Sequence, residues 1–126
     1  MDRQKVTTHR DLLAWQRAIL LVRTVYEVTD QFPDFERFEL SKQIRRAAVS
    51  VPSNIAEGAA RASRREFARF VGIARGSLSE LETQLIVGEM LGYLHNARPI
   101  MDEVDSLKKL LNGLHRSLRS KYNQDD

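Results

Sequence analysis

The chain has 126 residues, enough for one hydrophobic core and too few for two. It contains no cysteine, which excludes disulfides and thiolate-held metals and fits a reducing cytoplasm. Hydrophobic residues make up 42% and the net charge is +3; charged residues interrupt every apolar run before membrane-spanning length, so the reading is a globular protein with no membrane partner.

Met1 to Arg10 is polar, lacks the apolar stretch of a signal peptide, and reads as a flexible arm. The first helix is expected from about Asp11 to Asp30, with Leu12, Trp15, Ile19, Val22 and Tyr26 forming a core-facing seam. Asp11 suits the positive end of the helix dipole. Leu13, Leu20 and Leu21 fall outside that seam, so this helix is apolar on more than one side. Pro33 disfavours helical geometry at Phe32 and ends the element. Phe35 and Phe38, in the short link that follows, are expected to plug one end of a bundle.

The second helix is expected from about Leu40 to Ala62, burying Ile44, Ala47, Ala48, Val51, Ile55 and Ala59. Pro52 lies inside it, removes an amide donor and costs about 3 kcal/mol in an ordinary helix interior. The helical spacing continues across Pro52, which predicts a kink rather than a break. A second stripe is wholly polar: Gln43, Arg46, Ser50, Asn54, Glu57 and Arg61. Ser and Asn interleaved with charges suggest partial burial in a hydrogen-bonded network or an interface, completed by Ser77, Glu80 and Gln84. The stripe is thus either a set of satisfied polar groups on a kinked core helix or a ligand or partner site built on the kink.

Ser63, with Glu66 three residues later, predicts a capping box that starts the third helix, Arg64 to about Leu91. Phe67, Phe70 and Val71 begin a seam that Ala74, Leu78, Leu81 and Leu85 continue, while Ile73, Val87 and Leu91 lie on another side. Gly72 and Gly76 read as a close-packing surface. Gly92 is placed to stop the helix. The fourth helix, about Arg98 to Lys121, carries a seam of Ile100, Val104, Leu107, Leu111, Leu114 and Leu118, and Tyr122 to Asp126 is expected to fray. With no strand alternation and short links, the fold class is all-α: an antiparallel, up-down-up-down four-helix bundle over residues 11–121.

Chemistry-bearing patterns are few. Val6, Gly92 and Asn112 stand three positions before His9, His95 and His115, so the Glu-x-x-His pairs of a di-iron bundle are missing. Gly72 and Gly76 lack the Lys-Ser/Thr pair of a phosphate loop, and Ser50, Ser53 and Ser77 have no His at an activating spacing. Glu57 and Glu80 could form a carboxylate pair, or each could pair with Arg46 or Arg61. The reading is a non-enzymatic protein with no cofactor, no metal and no catalytic residue; the rival is an enzyme centred on Ser50, Asn54, Glu57 and Glu80.

Charge is polarised along the chain. Positions 42–75 hold eight Lys and Arg against two Glu, and positions 76–105 hold one Arg against six acids. Arg61, Arg64, Arg65 and Arg69 cluster at the second inter-helix turn. Lys108, Lys109, Asn112, His115, Arg116 and Arg119 form a basic face on the fourth helix. Both clusters are candidate nucleic-acid-binding surfaces, able to follow a phosphate backbone without reading bases. The alternative is ordinary solvated surface, with Arg61 and Arg69 consumed by carboxylates.

The run from Gln43 to Gly58, QIRRAAVSVPSNIAEG, resembles the signature of the bacterial 23S rRNA-intervening-sequence proteins, as do Leu13-Ala14-Trp15-Gln16 and the stretch Ala74 to Glu82. The resemblance extends from about Asp11 to Leu94, with small departures at Glu39 and at Ala59-Ala60. It implies a four-helix bundle. Related accessory proteins of diversity-generating retroelements form pentameric rings that bind a reverse transcriptase and nucleic acid, so the resemblance implies a homopentamer with RNA, DNA or a reverse transcriptase as partner. The alternative is a purely structural or protein–protein interaction module.

Overall fold

The computed structural model describes the backbone of residues 8–125 and the side chains of residues 8–121. The described residues form four α-helices and no strand: α1 Leu13–Thr29, α2 Leu40–Ala59, α3 Arg64–Met90 and α4 Arg98–Asp125. Helices consecutive in the chain pack side by side and α1 closes against α4, which surrounds one core. Along α2 and α3, Gly58 meets Phe70 while Ser50 meets Ser77, so residue numbers run in opposite senses.

The core is aliphatic. Ile44, Val51 and Ile55 of α2 meet Leu78, Leu81 and Leu85 of α3, and Ile100, Val104, Leu107 and Leu111 of α4 complete it. The expected seam of α4 is buried except at Leu114, which is half-buried. On α1 the seam differs from the expectation. Ala14, Ala18, Leu21 and Val25 face the core, Trp15 and Val22 flank it half-buried, and Ile19 and Tyr26 are 41% and 44% exposed. Leu21 is therefore a core residue rather than an outward one. Two alanines let α1 lie close to its neighbours, and a seam chosen by side-chain bulk passes over them.

The link after α1 also differs. Phe32, only 6% exposed, fills the end of the bundle against Tyr93, with ring centroids 5.4 Å apart. Phe35 and Phe38 stand in solvent at 72% and 76% exposure, so neither is a plug. A short 3-10 helix over Asp34–Glu36 turns them outward.

α2 runs unbroken through Pro52, which is itself buried. Beside the donor lost there, Ser53 Oγ and Asn54 Nδ2 donate to the carbonyls of Val49 and Ser50 at 2.8 and 2.9 Å. The helix stops at Ala59, short of the expected Ala62, because Ala60 and Arg61 close a turn back onto Ala56 and Gly58. Ser63 then caps α3 by accepting from the Glu66 amide at 3.1 Å. The reciprocal half of the expected box is replaced: the Glu66 carboxylate lies 3.5 Å from Arg69. At the other end Gly92, with φ of +83°, takes the left-handed position, and Tyr93 N–H donates to the Gly88 carbonyl at 2.9 Å.

Residues 1–7 of the expected arm lie outside the described residues; Thr8 caps a 3-10 turn over His9–Asp11. α4 remains helical through Asp125, past the expected Lys121. Among the described residues no helix is long and apolar enough to cross a membrane.

Candidate nucleic-acid interface

The polar stripe of α2 divides into two parts. Ser50 is a hub: its Oγ lies 2.8 Å from Ser77 Oγ and accepts from Asn54 Nδ2 at 3.0 Å, all three side chains being half-buried. Glu57 and Arg61 instead form a solvent-facing pair at 2.7 Å, with side chains 54% and 43% exposed. Burial of Glu57 in a network with Glu80 is therefore not what the chain builds. One helical turn of spacing lets Glu57 reach Arg61 without crossing to α3. Arg46 and Glu80 are exposed beside a cleft of about 280 Å³ that Ser50 and Gln84 also line. Gln84 Oε1 faces no donor among the described residues.

At the α2–α3 turn, Arg61 and Arg69 stack on the ring of Phe70, 4.9 and 4.6 Å from its centroid, while their charges meet Glu57 and Glu66. Arg64 and Arg65 are exposed, and each makes a contact of its own. Arg61 and Arg69 thus have carboxylate partners, as the alternative reading of this cluster expected. Phe67 and Phe70 are half-buried rather than core.

A different grouping forms between α3 and α4. Arg75, Asn112, His115, Arg116, Arg119 and Ser120 line an open cleft of about 550 Å³, and among the described residues no carboxylate lines it. Arg75 Nη1 lies 3.1 Å from His115 Nδ1. Partial burial, then the charges of Arg75 and Arg119, hold the His115 pKa below the usual imidazole value. A neutral ring accepting from Arg75 at Nδ1 fits that direction. A second cleft of about 380 Å³ shares Arg75 and Asn112 and reaches Lys108 and Gly76. Lys108 is bound to Glu82 at 2.7 Å, and Lys109 is exposed. Gly72 and Gly76 are not close-packed as expected: a Cβ on Gly72 would meet only His115 Nε2 at 3.8 Å, and one on Gly76 would meet nothing within 4 Å. Gly76 lines the second cleft beside Arg75.

The third grouping lies between α1, the Phe38 link and α2. Arg37, Lys42, Arg45 and Arg46 surround a cleft of about 620 Å³ whose apolar walls are Tyr26, Phe38 and Val49. Arg45 is firmly placed. Its Nε donates to Thr29 Oγ1 at 2.7 Å, Thr29 Oγ1 donates to the Val25 carbonyl at 2.8 Å, and its guanidinium lies 4.5 Å from the Tyr26 ring centroid. Arg37 stacks on Phe38 at 5.5 Å. Among the described residues no acid lines this cleft; Asp30 and Asp34 belong to its smaller neighbour beyond Arg37 and Arg45.

A family model described as 23S rRNA-intervening sequence protein matches residues 10–113. The chain belongs to that family. Comparison with curated proteins finds no match. In this family member the match covers α1, α2, α3 and the first part of α4, so the groupings at the α2–α3 turn and between α1 and α2 lie inside it, whereas His115, Arg116, Arg119 and Ser120 of the α3–α4 cleft lie beyond it.

Of the expected nucleic-acid residues, Arg116 and Arg119 converge with Arg75, whereas Lys108 is held by Glu82 and the Arg61–Arg69 group sits apart at the α2–α3 turn. The sequence reading missed Arg37, Lys42 and Arg45 as a unit with Tyr26 and Phe38. Lys42, Arg45, Arg46 and Val49 follow a spacing of three and four, which was the available signal.

Proposed function

We propose that this protein is a non-enzymatic, self-associating helical module of the cytoplasm that binds nucleic acid weakly and without base specificity. One observation carries the reading: seven Lys and Arg side chains line two open clefts, and among the described residues no carboxylate lines either. A phosphate backbone is the polyanion that suits such surfaces, since its contacts depend on charge rather than on a fixed geometry. The partner is RNA or DNA, alone or held by a reverse transcriptase. Self-association is supported by exposed apolar side chains, Leu13 and Leu20 on α1 at 51% and 48%, and Ile73 and Leu91 on α3 at 40% and 50%. The family resemblance favours a pentamer among closed rings.

Retention on immobilised RNA and single-stranded DNA, eluted by rising salt, tests the binding. Elution of the protein in the void volume at low salt leaves the structural-module reading in its place. Sedimentation equilibrium at micromolar concentration tests the assembly; a species of 14.5 kDa alone refutes it.

A further inference from the structure

The cleft between α1, the Phe38 link and α2 differs from the other basic surfaces in carrying exposed rings. Phe38 is 76% exposed and Tyr26 44%, and both are covered on one side by a guanidinium rather than by core. Leaving a phenylalanine in water forfeits most of the stabilisation its burial would give, and no core contact of Phe38 compensates. Arg45 is locked to Thr29, so its planar cation holds the Tyr26 ring in a fixed orientation. Lys42 and Arg46 are exposed on the same rim and make no side-chain hydrogen bond or ion pair among the described residues.

The geometry points to this cleft as a stacking site for single-stranded nucleic acid, in which an unpaired base lies on Phe38 and the flanking phosphates meet Lys42 and Arg46. The assignment rests on the nucleic-acid reading above and adds to it the form of the ligand. A duplex keeps its bases stacked on one another and offers this surface only phosphates. A single strand can turn a base onto the open face of Phe38 while its backbone follows the cations. Stacking and phosphate contact use neither the base edge nor the sugar hydroxyl, so RNA and DNA single strands present the same chemistry here. An acidic peptide matches the charge but supplies no flat ring for Phe38, and it is the competing occupant.

The test uses the full chain, with fluorescence anisotropy on a labelled single-stranded RNA, a single-stranded DNA of the same sequence, and the corresponding duplex, all at one low salt concentration. The wild type is expected to prefer the single strands. Phe38→Ala is expected to weaken single-strand binding about tenfold while leaving duplex binding unchanged, and Phe38→Trp to restore it. Lys42→Ala with Arg46→Ala is expected to weaken both forms. Phe38 is exposed, so the substitution leaves the core intact, and an unchanged melting temperature verifies this. Binding of all forms with Phe38→Ala indifferent, or weakened equally on duplex, overturns the stacking site while the nucleic-acid reading stands. Displacement of the single strand by polyglutamate as effectively as by unlabelled oligonucleotide assigns the cleft to acidic peptides and also overturns it. No binding of any nucleic acid by the wild type removes both.

Discussion

Gly58 and Gly76 both sit inside long helices, yet replacing each by alanine should move stability in opposite directions. A Cβ on Gly58 would stand 2.7 Å from Phe70 Cβ, 3.0 Å from Phe67 Cδ1 and 3.1 Å from the Phe67 carbonyl oxygen. Carbon atoms are best placed about 3.5–4.0 Å apart. Two of those three atoms are tied to the α3 backbone, so the clash is relieved only by pushing α2 and α3 apart at this contact. Overpacking of that kind costs about 1–3 kcal/mol. Alanine's better helix propensity returns about 1 kcal/mol, leaving a net loss on the order of 1 kcal/mol. For a chain of this size that lowers the melting temperature by about 3–5 °C. Gly76 meets nothing within 4 Å, so Gly76→Ala keeps the whole propensity gain and should raise the melting temperature by about as much. Thermal melts of the two variants beside the wild type decide. A Gly58→Ala protein as stable as the wild type, or shifted in the same direction as Gly76→Ala, would falsify the close α2–α3 contact.

Two further outcomes follow from the polar groups. Ser50→Ala strands the half-buried Ser77 hydroxyl, while Asn54 keeps its bond to the carbonyl of residue 50, and should cost about 1 kcal/mol in urea unfolding, whereas Glu57→Ala, at an exposed i,i+4 pair, should cost no more than about 0.5 kcal/mol; equal losses would contradict the division of the stripe. Because His115 has a lowered pKa in the fold, the unfolded chain binds more protons as pH falls below about 6.5, and the unbound protein should lose stability across that window. A bound phosphate favours the imidazolium, so oligonucleotide affinity should rise over the same window, and His115→Ala should flatten both pH profiles.

How far the chain could be read without its structure depended on how one-sided each helix is. The Ile100–Leu118 seam of α4 was legible because one face is apolar and the other charged, and Leu107 and Leu111 are buried as that spacing requires. α1 was misread because apolar residues occupy nearly every side, so periodicity left the choice of face open and bulk favoured Trp15 and Ile19 over Ala14 and Ala18. Ser63 and Gly92 were legible as helix ends, since each acts through its own local backbone. The Glu66 half of the box was not, because Arg69 lies within reach on the same helix and draws the carboxylate away. The clefts were least legible. Tyr26, Phe38 and Lys42 come from three different elements, and Arg75 meets His115 across forty residues of chain. Only the α2 spacing of Lys42, Arg45 and Arg46, and the α4 spacing of His115, Arg116 and Arg119, showed half of each.

The salt dependence of nucleic-acid binding tests the central claim most directly. Anisotropy titrations of a labelled single-stranded RNA over a series of salt concentrations give log Kobs against log salt for the wild type and for the variant with Arg75, Arg116 and Arg119 all changed to Ala. All three side chains are exposed, so the variant should keep its fold, and its thermal melt verifies this. The wild type should bind at low salt and weaken steeply as salt rises, because each neutralised phosphate releases a counterion. The variant should bind more weakly at every salt concentration, with a slope smaller in magnitude by about 2, the value for three lost single-strand phosphate contacts. No binding by the wild type at low salt, or a slope that the triple substitution leaves unchanged, would contradict the account.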